Sequence, residues 1–274
     1  MIVSKGVSLE KDMYCGYNLK FLSEGCFDDL YFADSFYEEG QTRYIEYKEQ
    51  IEKTLNNFAI QKGVLDGSAI QKNWFPQIRA DIFISHARSD SRTAIIFSEI
   101  LQNCFNLSSF IDSCVWGYAN DLLRLIDDKY CLDSGEQTYD YTKRNFSTSH
   151  VHLMLTTALM MMIDNCECVF FLDTPNSVNT RDVIKQRTQS PWIYSEINIS
   201  RLIKRRLPQR KLQESLQKSS VEAFSMGIEY ELDTSHFMEL TEGEFLEWDE
   251  QCNGENHSLD ILYELVPPIN REVM

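Results

Sequence analysis

Residues 81–86 have the sequence DIFISH, a short apolar run that ends in polar side chains. A continuous apolar run is typical of a strand whose two faces are both covered. Residues 166–172, CECVFFL, have the same character and predict a second buried strand. Between these runs Ala94, Phe97 and Leu101 recur at helical spacing. This alternation predicts an α/β fold with a parallel sheet and helices on both faces.

The chain before residue 80 has a different pattern. Apolar residues between 44 and 58 recur every three or four positions, which predicts an amphipathic helix. We therefore expect residues 1–79 to be a helical N-terminal accessory segment. Residues 80–274 would form the sheet-containing domain, with polar insertions at 131–147 and 174–189 and an acidic C-terminal region.

Local signals predict further elements. Residues 110–112 predict a second strand of the sheet, and Ser149 is expected to cap a long helix that ends at Ile163. Ser190-Pro191 predicts a helix start, because serine is a favoured N-cap and proline suits the first helical position. Further helices are predicted over 121–129, 242–251 and 259–265, and further strands over 225–232 and 237–240.

Composition limits the environment of the protein. The 274 residues contain no apolar run approaching the roughly 20 residues of a membrane span. The N-terminus lacks a basic start followed by an apolar core, so no signal peptide is expected. We predict a cytoplasmic protein that does not contact membranes and whose eight cysteines are reduced.

The net charge of −16 is unevenly distributed. Residues 212–274 contain 15 acidic and 2 basic residues, a net of −13, whereas residues 201–211 contain six basic and no acidic residues. Nucleic acid is an unlikely partner, because neutralising its phosphates needs a large basic face. The basic run is interpreted either as a phosphate contact or as a solvated helix end.

Metal ligands were sought among closely spaced cysteines and histidines. Cys166 and Cys168 would face one side of a strand, and His150 and His152 would diverge on a helix. No second cysteine pair has ligand spacing, so we predict no metal site.

Polar residues follow the first predicted strand directly. Ser85, His86 and Arg88 offer hydroxyl, imidazole and guanidinium groups at the edge where α/β sheets bind ligands. The chain has no GxGxxG or P-loop sequence, so this is not an ordinary nucleotide-binding motif. These side chains are interpreted as ligands of phosphate or ribose, with a solvated polar loop as the alternative.

Asp112 ends the second predicted strand and is followed by Trp116, Gly117 and Tyr118. An aromatic residue in such a loop would serve as a lid or a contact surface. The alternative is a tryptophan that folds back onto the core.

Trp192 and Glu196 lie four positions apart on a predicted helix and therefore share a face. A carboxylate beside an indole would be partly desolvated, which raises its pKa. The alternative is an ordinary amphipathic helix with a glutamate at its polar border.

Three sequences together resemble a known family. Residues 81–86 (DIFISH), 110–112 (FID) and 190–197 (SPWIYSEI) resemble, in order, the first strand, second strand and catalytic helix of Toll/interleukin-1 receptor (TIR) domains. The resemblance covers about residues 80–205 and implies a flavodoxin-like sheet. It departs from the family where Ala87 precedes Arg88, because basic residues often follow the first strand directly.

The resemblance implies a TIR enzyme that cleaves the nicotinamide–ribose bond of NAD. Glu196 would be the catalytic carboxylate, and NAD would be the substrate, with no separate cofactor. The implied substrate-binding residues are Ser85, His86, Arg88, Asp112, Trp116 and Trp192. Whether the product is linear, cyclic or conjugated ADP-ribose stays open.

The length and the N-terminal segment resemble stand-alone microbial TIR proteins of antiphage defence, of the Thoeris kind. This implies self-association through TIR–TIR contacts and a separate effector protein that senses the product. One alternative is a non-catalytic TIR adaptor that acts through protein assembly. Another is a flavodoxin-like module that binds a different ligand.

Overall fold

The computed structural model describes residues 15–20, 26–27, 32–51, 53–61, 64–132, 138–178, 187–188, 190–203, 230–231, 233–252, 254 and 256–268. The strands are β1 (Cys15–Leu19), β2 (Ala59–Gln61), β3 (Val64–Leu65), β4 (Ile82–Ser85), β5 (Ser109–Phe110), β6 (Cys168–Leu172), β7 (Arg187–Thr188), β8 (Tyr230–Glu231) and β9 (Met238–Glu239). The helices are α1 (Ala33–Glu49), α2 (Gly67–Trp74), α3 (Ser91–Phe105), α4 (Asp112–Val115), α5 (Ala119–Tyr130), α6 (Tyr141–Asn165), α7 (Pro191–Leu202), α8 (Glu242–Gln251) and α9 (Ser258–Leu265).

A five-stranded parallel sheet forms the centre of the fold, in the order β5-β4-β6-β1-β9. Every residue of β4 and β6 is buried. Because successive strand residues point to opposite faces, both faces of the sheet are covered. The predicted α/β class and the two predicted buried strands are therefore confirmed, and the architecture is compatible with a flavodoxin-like fold.

The strand β1 corrects the expectation that residues 1–79 form a separate, mainly helical segment. It lies between β6 and β9, and Tyr17 pairs with Phe170 on one side and Met238 on the other. The N-terminal residues thus supply an internal strand. Strands β5, β4 and β6 follow the flavodoxin-like order 2-1-3, and β1 takes the next place in the sheet. The predicted boundary at residue 80 does not separate these residues from the sheet.

The long helix α6 begins earlier than predicted. Asp140 caps it by accepting a hydrogen bond from the Lys143 backbone N–H, whereas Ser149 lies inside the helix and donates to the Asn145 carbonyl. Residues 141–147 consequently belong to a helix and not to a polar insertion. Among the described residues, α6 alone is long and apolar enough to cross a membrane. A single helix of this kind is weak evidence for a membrane span.

Other predicted bounds also need adjustment. The second strand ends at Phe110, and Asp112 begins α4. Strand β8 pairs antiparallel with β7 rather than joining the central sheet. Helix α8 has the predicted bounds. Residues 133–137, 179–186 and 204–229, including most of the basic run, lie outside the described residues.

Candidate functional site

Glu196 is buried in the middle of α7 and meets the end of β4, at the carboxyl edge of the sheet. Ser190 caps this helix by accepting a hydrogen bond from the Ile193 N–H, and Pro191 occupies the first turn, as predicted. The Glu196 side chain is only 4% exposed, and its Oε2 accepts a 2.5 Å hydrogen bond from Ser85 Oγ. The end of β4 and helix α7 therefore meet at one carboxyl group.

Burial raises the pKa of Glu196 well above its ordinary value, and the negative charge of Asp112 raises it further. The hydrogen bond from Ser85 acts in the opposite direction, because it stabilises the ionised carboxylate. The predicted desolvation of Glu196 is observed as burial of its side chain. The surroundings of Glu196 consequently favour the neutral carboxyl group.

A cavity of about 160 Å³ lies beside this carboxyl group. Its walls include His86, Arg88, Asp112, Trp116, Trp192 and Glu196. All of these were predicted site residues, and Ser85 joins them through its hydrogen bond to Glu196. The fold thus gathers residues that are up to 111 positions apart in the chain.

His86 provides an unused polar atom at the site. Its side chain is 7% exposed, and Nε2 lies 3.1 Å from Ser113 Oγ. Its Nδ1 is buried and has no hydrogen-bond partner among the described residues. One ring nitrogen is therefore free for a ligand, as donor or acceptor depending on the tautomer.

Trp116 folds back onto the core, which was the alternative interpretation of this loop. Its side chain is 3% exposed, and Nε1 donates a 2.8 Å hydrogen bond to the Pro76 carbonyl. Its ring also makes edge contacts with Phe75 and Phe110. The expectation that Trp116 is an exposed contact residue is wrong, although it still forms part of the cavity wall.

The exposed parts of the site are Tyr118 and Arg88. Tyr118 is 41% exposed, and the Arg88 guanidinium carbon lies 4.5 Å from the centre of its ring. This contact holds a cation at the mouth of the cavity. Trp192 is partly buried, and its ring contacts His152 at 5.6 Å between centroids.

Ser113, Leu155 and Leu159 are among the wall residues that were not predicted as site residues. Leu155 and Leu159 lie one turn apart on α6, within a helix whose existence the sequence indicated. Periodicity gave no signal of which face of α6 meets the site. Ser113 directly follows Asp112, and its hydroxyl becomes significant only through the contact with His86.

Of the cysteines considered as metal ligands, Cys166 is the C-cap of α6 and Cys168 begins β6. Cys168 is fully buried, its Sγ lies 3.8 Å from Cys15 Sγ, and burial raises the pKa of its thiol. A neutral thiol is a poor metal ligand. In the part of the chain that the structure describes, no group of three or more His, Cys, Asp or Glu side chains is placed to hold a metal ion.

Comparisons of the chain with protein-family models, curated proteins and solved structures found no match.

Proposed function

We propose that this protein is a TIR-type enzyme that cleaves the bond between nicotinamide and ribose in NAD. The observation that carries the proposal is the buried Glu196 carboxyl group, held by Ser85 in a cavity with an indole and an imidazole at the sheet edge. Ligands of open α/β sheets bind at this edge. A desolvated carboxyl group in a cleft is also the usual mark of a functional site.

The chemistry needs only one carboxylate. The C1′–N bond breaks and its electron pair stays on the nicotinamide nitrogen, so the cationic ring leaves as neutral nicotinamide. Positive charge develops on the ribose, and ionised Glu196 stabilises it. Water then adds to C1′ and releases a proton, which yields ADP-ribose. Attack by adenine or by a second ligand yields a cyclic or conjugated product instead.

The substrate itself favours the active protonation state. The protein surroundings favour neutral Glu196, because burial and Asp112 raise its pKa. The nicotinamide ring of NAD carries a positive charge, and a cation beside a carboxyl group lowers its pKa. Binding of NAD therefore favours the ionised form that the transition state requires.

The other wall residues bind and orient the substrate. Trp192 supplies an aromatic face for nicotinamide, and the free nitrogen of His86 bonds a ribose hydroxyl. Arg88, at the mouth, binds the diphosphate. Trp116 stiffens the wall, because its ring is packed and its N–H is bonded within the protein.

The biological setting follows from the resemblance to microbial TIR proteins. A nucleotide signal made from NAD would be sensed by a separate effector protein in antiphage defence, in the cytoplasm. Self-association through TIR–TIR contacts would complete and cover the site. The small cavity and the exposed Tyr118 at its mouth support this requirement.

The test is nicotinamide release from NAD by the wild type and by Glu196→Gln. We expect the variant to lose about 100-fold or more of the rate, since it cannot carry the negative charge. The matched control is Glu250→Gln, which neutralises an exposed glutamate on α8. Near-wild-type release by Glu196→Gln would refute the assignment. A wild type that neither binds NAD nor releases nicotinamide at any protein concentration would refute NAD cleavage.

A further inference from the structure

A second cavity of about 540 Å³ lies on the other side of residues 116–118. These three residues also line the cavity that contains Glu196. The volume of the second cavity falls within the roughly 300–1,000 Å³ of ligand pockets, whereas the first cavity, about 160 Å³, is below it. The first cavity alone is small for a dinucleotide.

The second cavity has an excess of positive charge. Lys48 and Lys53 line it, and neither forms an ion pair with a described residue. Arg124, also in the wall, lies 3.8 Å from Asp128 and is therefore partly neutralised. Asp121 is the remaining carboxylate of the wall. Two lysines against one carboxylate favour an anionic ligand, in a chain whose net charge is −16.

The inner wall of this cavity has an unused donor. Trp74 is 2% exposed, and its Nε1 is buried without a hydrogen-bond partner among the described residues. Its carbonyl accepts a 2.9 Å hydrogen bond from the Gly117 N–H, which ties the wall between the cavities to α2.

Tyr118 lies where the two cavities adjoin. The Arg88 guanidinium carbon is 4.5 Å from the centre of its ring, and Lys48 Nζ is 5.0 Å from the same centre. Arg88 lines the first cavity and Lys48 lines the second. An anionic group at Tyr118 would therefore meet one cation from each cavity.

We propose that the second cavity binds the adenosine end of the dinucleotide. The diphosphate lies beside Tyr118 between Arg88 and Lys48, and the nicotinamide riboside end lies in the cavity of Glu196. This inference rests on the proposed function, since it assigns the other half of the same substrate. It also gives the N-terminal segment, through Lys48, Lys53 and Trp74, a direct part in substrate binding.

The probe is ADP, which lacks the nicotinamide riboside end, and the measurement is calorimetric titration. We expect the double variant Lys48→Glu/Lys53→Glu to bind ADP about tenfold or more weakly than the wild type. The ADP affinity of Lys48→Gln/Lys53→Gln should lie between that of the wild type and that of Lys48→Glu/Lys53→Glu. Lys143→Glu, an exposed lysine on α6, is the matched control and should bind ADP as the wild type does. Circular dichroism checks that each variant is folded.

The outcomes separate this inference from NAD cleavage, because ADP binding does not require catalysis. Lysine-dependent ADP binding by a protein that releases no nicotinamide would overturn cleavage and leave the second cavity as an ADP site. Nicotinamide release with ADP binding that is absent, or indifferent to both lysines, would overturn the inference alone. In an active enzyme the Lys48→Glu/Lys53→Glu variant should raise the KM for NAD by a similar factor.

Discussion

Ser85 Oγ donates a 2.5 Å hydrogen bond to Glu196 Oε2, and this contact joins the end of β4 to the middle of α7. The two residues are 111 positions apart, yet their contact connects the first and last motifs of the TIR resemblance. The hydroxyl lowers the pKa of Glu196, whereas burial and Asp112 raise it. The balance among these three effects leads to the first predictions.

Ser85→Ala should move the pH dependence of activity to higher pH. The rate of NAD cleavage at low substrate is expected to rise with pH as Glu196 ionises, and kcat/KM reports the pKa of the free enzyme. Loss of the hydroxyl removes an effect that lowers this pKa. The measurement is a kcat/KM profile against pH, with Ser195→Ala on the same helix as control. An unchanged midpoint of this profile in Ser85→Ala would show that Ser85 does not lower the pKa of Glu196.

Asp112→Asn should move the same profile to lower pH. The negative charge of Asp112 raises the pKa of Glu196, so its removal makes ionisation easier. Because Asp112 also lines the cavity, the absolute rate is expected to change, and the midpoint is the diagnostic quantity. A shift in the same direction as that of Ser85→Ala would contradict the electrostatic explanation.

Glu196→Gln should become more stable than the wild type as the pH rises. The fold favours the neutral carboxyl group, so its contribution to the free energy of unfolding is fully present below the ordinary value of 4.5. That contribution is lost as the pH rises through the higher pKa of the folded state. We expect the difference in Tm between variant and wild type to grow as the pH rises above the ordinary value of 4.5. Glu250→Gln, at an exposed position, should not show this growth.

Trp116→Ala should reduce the free energy of unfolding by about 3–5 kcal/mol, because a fully packed indole leaves a cavity. Trp116→Phe should reduce the free energy of unfolding less. Its main effect is loss of the hydrogen bond to the Pro76 carbonyl, which contributes about 1 kcal/mol. Denaturant unfolding measures both. Tyr141→Ala is the control, since Tyr141 is 80% exposed and its loss should change stability by about 0.5 kcal/mol or less. Equal losses of unfolding free energy in Trp116→Ala and Tyr141→Ala would contradict the inward orientation of Trp116.

Turnover per chain should increase with protein concentration if a neighbouring copy covers the site. A covering surface would exclude water around Glu196, and Tyr118 is the exposed aromatic side chain at the mouth. The measurement is NAD turnover over a wide dilution series, with light scattering of the wild type and of Tyr118→Ala in parallel. We expect the variant to associate less. Constant turnover from a protein that stays monomeric would show that one chain suffices.

Local patterns predicted the parts of the fold that depend on near neighbours. The apolar runs became β4 and β6 because both faces of a central strand must be buried. The Ser190 cap was predictable because its partner, Ile193, is three residues away. The predicted start of α6 was wrong, because Asp140 and Ser149 are both good N-cap residues and periodicity does not choose between them.

By itself, then, the sequence determined the α/β class, the buried strands and the residue types at the candidate site. Only the tertiary structure decided that β1 lies inside the sheet, that Trp116 turns inward and that Lys48 contacts the Tyr118 ring. The physical reason is the range of the interactions. Helix and strand patterns reflect the burial of neighbouring side chains, whereas strand order and cavity walls depend on contacts between segments far apart in the chain.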